Sequence, residues 1–328
     1  MGRDDCGMVE NPEVLLLHRT PPESEGTVSE LAEQIQSQIP DIDLVQATDR
    51  SDALARLETA EVVIEHGYDE RIFQNAPNLA WVQSLSAGHD RYDIEFFKKN
   101  NITLTTASGV HAVPAAEHVF GSLLMFERGL DRARQQQSRQ EWNRWSPGEM
   151  AGKTMGIVGV GAIGSRVAEL ARAHGLTALG TKRDPTTGGS AVDKMYDPTE
   201  LHRLLGQSDY VVLTCPLTDE TYGLIDQQAL ESMASTAILV NVARGDVVKQ
   251  QPLVRALKNG EIGGAVLDVF ASEPLPEDSA FWNLSNVVIT PHLAGGSPRF
   301  FERVAELFAK NFTRFTGGTE EPLRNQIV

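Results

Sequence analysis

The stretch from Thr154 to Leu170 limits the possible folds of this chain more than any other. Met155, Ile157 and Val158 form a short apolar run that stops at Gly159, and helical spacing of Ile163, Val167 and Leu170 begins directly after it. That change of period reads as a buried strand, a tight turn and a helix. Gly159, Gly161 and Gly164 stand in the turn in G-x-G-x-x-G spacing. Glycines so placed allow a tight turn, a close backbone approach and helix-on-strand packing, and the free N–H groups of the helix start suit an anion. Three glycines alone fit any sharp strand-to-helix turn. With the flanking periodicities they point to a dinucleotide pyrophosphate.

A chain of 328 residues is long enough for about two domains. Ahead of the glycine turn, Val14 to Leu17, Ile42 to Val45, Glu61 to Ile64, Ala80 to Leu85 and Ile102 to Thr105 read as strands. Helical patterns at Val28 to Ile39, Asp52 to Leu57 and Asp90 to Lys99 alternate with them, which implies a parallel sheet covered by helices. A long helix is expected over Pro114 to Arg134, followed by a polar arm, Gln135 to Ser146, whose Trp142 and Trp145 suggest burial against a partner subunit. After the turn, strands are expected at Leu176 to Gly180, Tyr210 to Thr214, Ile238 to Asn241, Gly263 to Asp268 and Val287 to Thr290. A last helix, from Ser297 and Pro298 to about Phe315, lies beyond the final strand and is expected to return to the first domain.

Charge narrows the partners. The formal net charge of −16 argues against nucleic acid or an anionic membrane, both of which need a basic footprint. Only 8 of the 29 basic residues are lysine. Self-repulsion on that scale is screened when the Debye length shrinks to about 3 Å in molar salt, so a cytoplasmic chain adapted to high salt is expected, an ordinary acidic cytosolic protein being the plainer alternative. Cys6 and Cys215 lack metal-ligand spacing, so neither a zinc site nor a disulfide is expected. No apolar run reaches the length of a membrane span, and the first residues lack a signal-peptide pattern.

The end of the second strand after the glycine turn ordinarily carries an acid that bonds the ribose 2′-hydroxyl of NAD. Thr181, Lys182 and Arg183 stand there instead. Arg183 as a fork, Lys182 as a point charge and Thr181 as a hydroxyl donor suit a 2′-phosphate, which favours NADP over NAD. The plainer reading leaves both cations in solvent.

Three segments end strands further on: Asn241 to Gly245 with Arg244, Leu267 to Pro276 with Asp268 and Glu273, and Thr290 to Gly296 with His292. Carbonyl reduction by hydride places negative charge on oxygen and needs a proton donor, for which imidazolium is suited near neutral pH. A carboxylate such as Glu273 beside it would favour the protonated form, and Arg244 would clamp a substrate carboxylate. Taken singly, each has a duller explanation as a turn, a loop or a satisfied histidine. The loop Ser84 to Asp90, at the end of a strand, serves equally as an anion cradle or a plain turn.

The glycine turn, the segment Cys215 to Thr218, Asn241 to Gly245, Asp268 to Pro276 and Thr290 to His292, in this order and spacing, resemble the D-isomer-specific 2-hydroxyacid dehydrogenases over nearly the whole chain. The resemblance implies two Rossmann-like or flavodoxin-like α/β domains with parallel sheets and a cleft between them. Residues 1–109 and 296–328 would form the substrate domain and residues 110–295 the dinucleotide domain, with Gly109 and Gly295 near the hinges. It also implies His292 as acid/base, Glu273 as its partner, Arg244 as substrate anchor, Asp268 on the nicotinamide carboxamide, and Ser86, Ala87 and Gly88 as the substrate-carboxylate cradle. The cofactor site it implies further includes Ala162, Ile163, Cys215, Pro216, Thr221, Val242, Ala243 and Gly295, and it implies a homodimer. Lys182 departs from the family's usual acid. The expected activity is reduction of 2-oxo acids to D-2-hydroxy acids with NADP, NAD remaining possible. Alternatives are a glyoxylate/hydroxypyruvate reductase and, from another class, a dinucleotide-sensing corepressor. A phosphoglycerate dehydrogenase is disfavoured, since no C-terminal extension follows Val328.

Overall fold

The computed structural model describes residues 11–17, 27–66, 70–89, 92–184, 191–318 and 321–328; Cys6, and Asp90 at the expected start of its helix, lie outside them. The chain divides into two compact units, Met1–His111 with Gly296–Val328, and Ala112–Gly295.

In the first unit, β1 (Val14–Leu17), β2 (Leu44–Gln46), β3 (Val62–Glu65), β4 (Trp81–Ser84) and β5 (Thr103–Thr105) form one sheet in the order β2-β1-β3-β4-β5. Every pairing is parallel. β1, β3 and β4 are buried along their whole length, which is why β1 is apolar throughout and β3 is apolar up to Glu65, whereas β4 buries Gln83 and Ser84 at its end. Helix Val28–Gln38 starts at a capping box between Thr27 and Glu30 and buries Val28, Leu31, Ala32 and Ile35, the spacing of one helical face. Helix Phe300–Thr316 joins this unit. Its buried Val304, Phe308 and Phe312 share a core with Leu31 and Ile35, and Phe308 stacks on Trp81 with ring centroids 5.0 Å apart.

The second unit holds β6 (Thr154–Val158), β7 (Thr177–Thr181), β8 (Lys194–Tyr196), β9 (Tyr210–Leu213), β10 (Ile238–Asn241), β11 (Gly264–Leu267) and β12 (Val287–Ile289). They lie in the order β12-β11-β10-β9-β6-β7-β8, again all parallel. The chain winds outward in both directions from the β6/β9 pair, so the ends of these strands flank the topological switch point where open α/β sheets take ligands.

Two expectations need correction. The helix expected over Pro114 to Arg134 is two helices, Ala112–Arg128 and Leu130–Ser138, parted at Gly129. Gly129 sits at φ +61°, a left-handed conformation that interrupts a helix, and a Cβ there would lie 2.9 Å from the Trp145 ring nitrogen. The polar arm also divides: Gln135 to Ser138 are helical, Trp145 packs against helix Leu130–Ser138 beneath the Arg132 guanidinium at 4.9 Å, and of the two tryptophans Trp142 is the exposed one, at 89%. Strand β8 had no sequence signal, being a three-residue edge strand that begins with Lys194.

Candidate active site

The glycine turn joins β6 to helix Ala162–Ala173. Gly159 has φ +98°, and a Cβ on it would sit 2.6 Å from the Cys215 backbone, so only glycine makes this turn. Gly164 lies against the turn, where a Cβ would meet the Gly159 carbonyl at 2.5 Å. Its role is therefore packing rather than contact with a ligand. Gly161 faces open space, with nothing within 4 Å of a would-be Cβ. It also caps the helix without a side chain, leaving the first-turn N–H groups directed at that space.

A cavity of about 490 Å³ opens there. Among the expected cofactor residues, Gly159, Gly161, Thr181, Lys182, Arg183, Cys215, Pro216 and Thr221 line it; Ala162, Ile163, Val242, Ala243, Asp268, His292 and Gly295 do not. Thr214, Thr218 and Glu220 line it too, beside apolar side chains such as Leu201 and Leu224, and Thr214 Oγ1 braces the turn by donating to the Gly159 carbonyl at 2.7 Å. Cys215 is buried, and burial pushes its thiol up to about 11. An open cradle at a helix start, with apolar walls and two cations and one carboxylate among its lining groups, fits a nicotinamide dinucleotide.

The chemistry-bearing groups follow β10, β11 and β12, three neighbouring parallel strands whose carboxyl ends form one edge. Backbone bonds stitch that edge together: the Asp268 N–H donates to the Asn241 carbonyl at 3.0 Å, and the His292 N–H to the Asp268 carbonyl at 2.9 Å. His292 Nδ1 meets Glu273 Oε2 at 2.7 Å, and the Phe270 N–H holds the other carboxylate oxygen at 2.8 Å. The imidazole is thus oriented through Nδ1, with Nε2 directed away from the carboxylate. His292 is also half exposed, at 48%, so the ring is open to a reactant.

Arg244 follows β10 in an extended conformation, and Asn241 fixes this loop by accepting the Ala243 N–H and donating to the Arg244 carbonyl, each at 3.0 Å. Gly245 lets the loop lie flat on the Phe270–Ala271 backbone, where a Cβ would come within 1.9 Å of the Phe270 carbonyl carbon. That same Phe270 carries the N–H that holds Glu273, so backbone packing links the Arg244 loop to the His292 pair.

Asp268 is 1% exposed, and most of its hydrogen bonds go to the His292 segment. Oδ1 accepts from Thr290 Oγ1 at 2.6 Å and from the Leu293 N–H at 2.9 Å, and Oδ2 from the Ala294 N–H at 2.9 Å. His292 lies between these anchors at φ +51°, a left-handed conformation that costs a side-chain-bearing residue about 1 kcal/mol or more. The sequence reading gave Asp268 to the nicotinamide; the geometry makes it first the clamp that holds this segment.

In the first unit, Ser86, Ala87 and Gly88 follow β4 as a half-buried turn. The Ser86 N–H is taken by Ser84 Oγ at 3.0 Å, which lies 2.8 Å from the Tyr92 hydroxyl, itself bonded to buried Glu65. Its amide is therefore used within the loop rather than kept for an anion, as a cradle of three free N–H groups would need.

Residues 120–294 match the model of the D-isomer specific 2-hydroxyacid dehydrogenase NAD binding domain. A glyoxylate reductase of Korarchaeum cryptofilum is 37% identical over 295 residues, covering 87% of this chain and 86% of that protein. The chain belongs to the D-isomer specific 2-hydroxyacid dehydrogenase family. A solved family member from Aeromonas salmonicida superposes with a TM-score of 0.82 at 30% identity, covering 97% of this chain and 99% of the other. A D-isomer specific 2-hydroxyacid dehydrogenase of Xanthobacter autotrophicus Py2, solved with NADPH and MES, gives 0.81 at 26% identity, covering 97% and 98%. This dehydrogenase is accordingly an oxidoreductase that uses a nicotinamide dinucleotide and acts on small 2-oxo or 2-hydroxy acids.

Several contributors to the dehydrogenase site carry no sequence signal of their own. His118, on helix Ala112–Arg128, places Nε2 3.2 Å from Thr290 Oγ1 and 4.0 Å from Asp268 Oδ1, although 150 residues separate it from Asp268. Nothing local in a helix of small and apolar residues marks it out. Asn241 stands in the Arg244 motif, but its work as a loop brace depends on the turn being built.

Proposed function

We propose that this dehydrogenase reduces small 2-oxo acids to D-2-hydroxy acids with a preference for NADP. The observation that carries the reading is the pairing of His292 with Glu273 at 2.7 Å on the strand edge that also bears Arg244. The dinucleotide, when bound, supplies hydride to the carbonyl carbon. His292 then donates a proton from Nε2 to the carbonyl oxygen, and Glu273 holds the ring orientation and its charge through the transfer. Arg244 pairs with the substrate carboxylate and polarises the carbonyl beside it. In the first unit, Ala87 and Gly88 offer backbone N–H groups suited to a carboxylate, with Ser86 shaping the turn. Asp268 keeps its clamp beneath the His292 segment.

Two supports favour NADP: Lys182 and Arg183 line the cavity where an acid would serve NAD, and the Xanthobacter relative was solved with NADPH. The glyoxylate reductase relative favours glyoxylate among the substrates. We further propose a homodimer in which Trp142 is covered. An apolar cavity of about 650 Å³ lies beside it among residues 133–147, and an exposed indole over such a cavity suits a partner subunit. The charge of −16 with 8 lysines points to activity that depends on molar salt.

A panel of 2-oxo acids with NADPH and NADH, at low and molar salt, tests the reading. Glyoxylate reduction with a higher kcat/KM for NADPH, rising with salt, is the expected result. Binding of NADPH without turnover of any 2-oxo acid would instead assign the chain a sensing role.

A further inference from the structure

The mouth of the cofactor cavity carries a charge arrangement that the mechanism leaves unused. One side is the end of β7, with Lys182 and Arg183; the other is the turn from Thr218 to Thr221. Arg183 Nη2 stands 3.7 Å from Glu220 Oε2. The carboxylate is anchored, because Thr218 Oγ1 donates to the same oxygen at 2.6 Å. That bond first, and the guanidinium least, holds the Glu220 carboxyl below the usual carboxylate range. Both side chains are about three-quarters exposed, at 77% and 76%, so the pair adds little to folding stability. Its consequence lies in what binds.

We propose that Glu220 tunes coenzyme choice in this dehydrogenase: by engaging Arg183 at the cavity mouth, it restrains the preference for a 2′-phosphate that Lys182 and Arg183 create. The proposal rests on the assignment of that cationic pair to the 2′-phosphate. A phosphate arriving there must draw the guanidinium from Glu220 or share it, and in either case two anions lie close together. A 2′-hydroxyl meets no such conflict and is able to donate to the carboxylate. One unit charge about 4 Å away in water alters affinity about fivefold. In molar salt, with a Debye length of about 3 Å, most of that difference disappears.

Calorimetric titration of the full chain with adenosine 2′,5′-bisphosphate and with adenosine 5′-monophosphate isolates the 2′-phosphate from catalysis. Glu220→Gln is expected to bind the bisphosphate about fivefold more tightly at low salt and to leave the monophosphate within about twofold. The gain should collapse in molar salt, where the repulsion is screened. An unchanged bisphosphate affinity, or an equal gain for both nucleotides, overturns the proposal. If the wild-type chain binds the two nucleotides equally, the NADP preference fails; a gain confined to the bisphosphate in Glu220→Gln would still establish the carboxylate as the restraint.

Discussion

Asp268→Asn asks whether one buried carboxylate holds the His292 segment in place. In the wild-type chain Oδ1 serves Thr290 Oγ1 and the Leu293 N–H, and Oδ2 serves the Ala294 N–H. An amide of the same shape offers one acceptor oxygen and one NH2 donor. Whichever way it is turned, at least one backbone N–H then faces a donor, and the site is too buried for water to relieve it. A hydrogen bond to a charged group contributes about 1.5–3 kcal/mol, so one orphaned donor with the remaining bonds stripped of charge costs about 3–5 kcal/mol locally. The loss falls on residues 290–295, where the neighbouring His292 is held at φ +51°. Amide exchange at Leu293 and Ala294 should therefore quicken about a hundredfold or more in the cofactor-free protein, at 1.36 kcal/mol per decade. Measuring without cofactor separates the clamp from any contact to the nicotinamide. Exchange at the wild-type rate at both amides would refute the clamp.

Other substitutions test the remaining parts. His292→Ala should lower kcat by about two to four orders of magnitude while dinucleotide binding, followed by fluorescence titration, changes little; turnover within about tenfold of wild type would remove the general acid. Gly164→Ala drives a Cβ to 2.5 Å from the Gly159 carbonyl and 2.9 Å from Thr214 Oγ1, and should destabilise the fold by about 1–3 kcal/mol. Gly161→Ala meets nothing within 4 Å and should spare the melting temperature yet weaken the dinucleotide, so equal melting losses in the two variants would contradict the assigned roles. The Cys215 thiol, raised from 9.0 to about 11, should resist iodoacetamide at neutral pH. Because its folded value lies above the ordinary one, its contribution is whole below about pH 9 and is lost as pH rises to about 11. The loss amounts to roughly 2–3 kcal/mol, should vanish in Cys215→Ala, and would show in urea midpoints across that range.

Much of this architecture was legible because parallel strands buried on both faces are written as unbroken apolar runs. Val14–Leu17, Thr154–Val158 and Ile238–Asn241 are strands as read. The glycine turn was legible for a related reason: Gly159 and Gly164 answer local steric demands, and Gly161 leaves the helix start open. What escaped depends on distance in the chain. The helix break at Gly129 is tied to Trp145 packing back on it, and no helical periodicity records that. His118 reaches Thr290 and Asp268 only after the sheet is assembled. Likewise, Lys182 and Arg183 were visible as cations, but the carboxylate facing Arg183 comes from a turn 37 positions later.

The two ends of the proposed cofactor site are built on different physical terms. At the pyrophosphate end the contacts are backbone N–H groups at a helix start, so side chains matter there mainly by being absent, as at Gly159 and Gly161. At the reacting end the side chains must point in set directions, yet Arg244, Glu273 and His292 all stand on loops, which hold direction poorly. The structure compensates with buried or half-buried polar braces one residue layer beneath: Asn241 under Arg244, the Phe270 N–H under Glu273, and Asp268 with Thr290 under His292. Substitution in that layer should therefore impair turnover more than dinucleotide affinity, whereas substitution at the glycines should do the reverse. A site placed by loop sequence alone would show no such division.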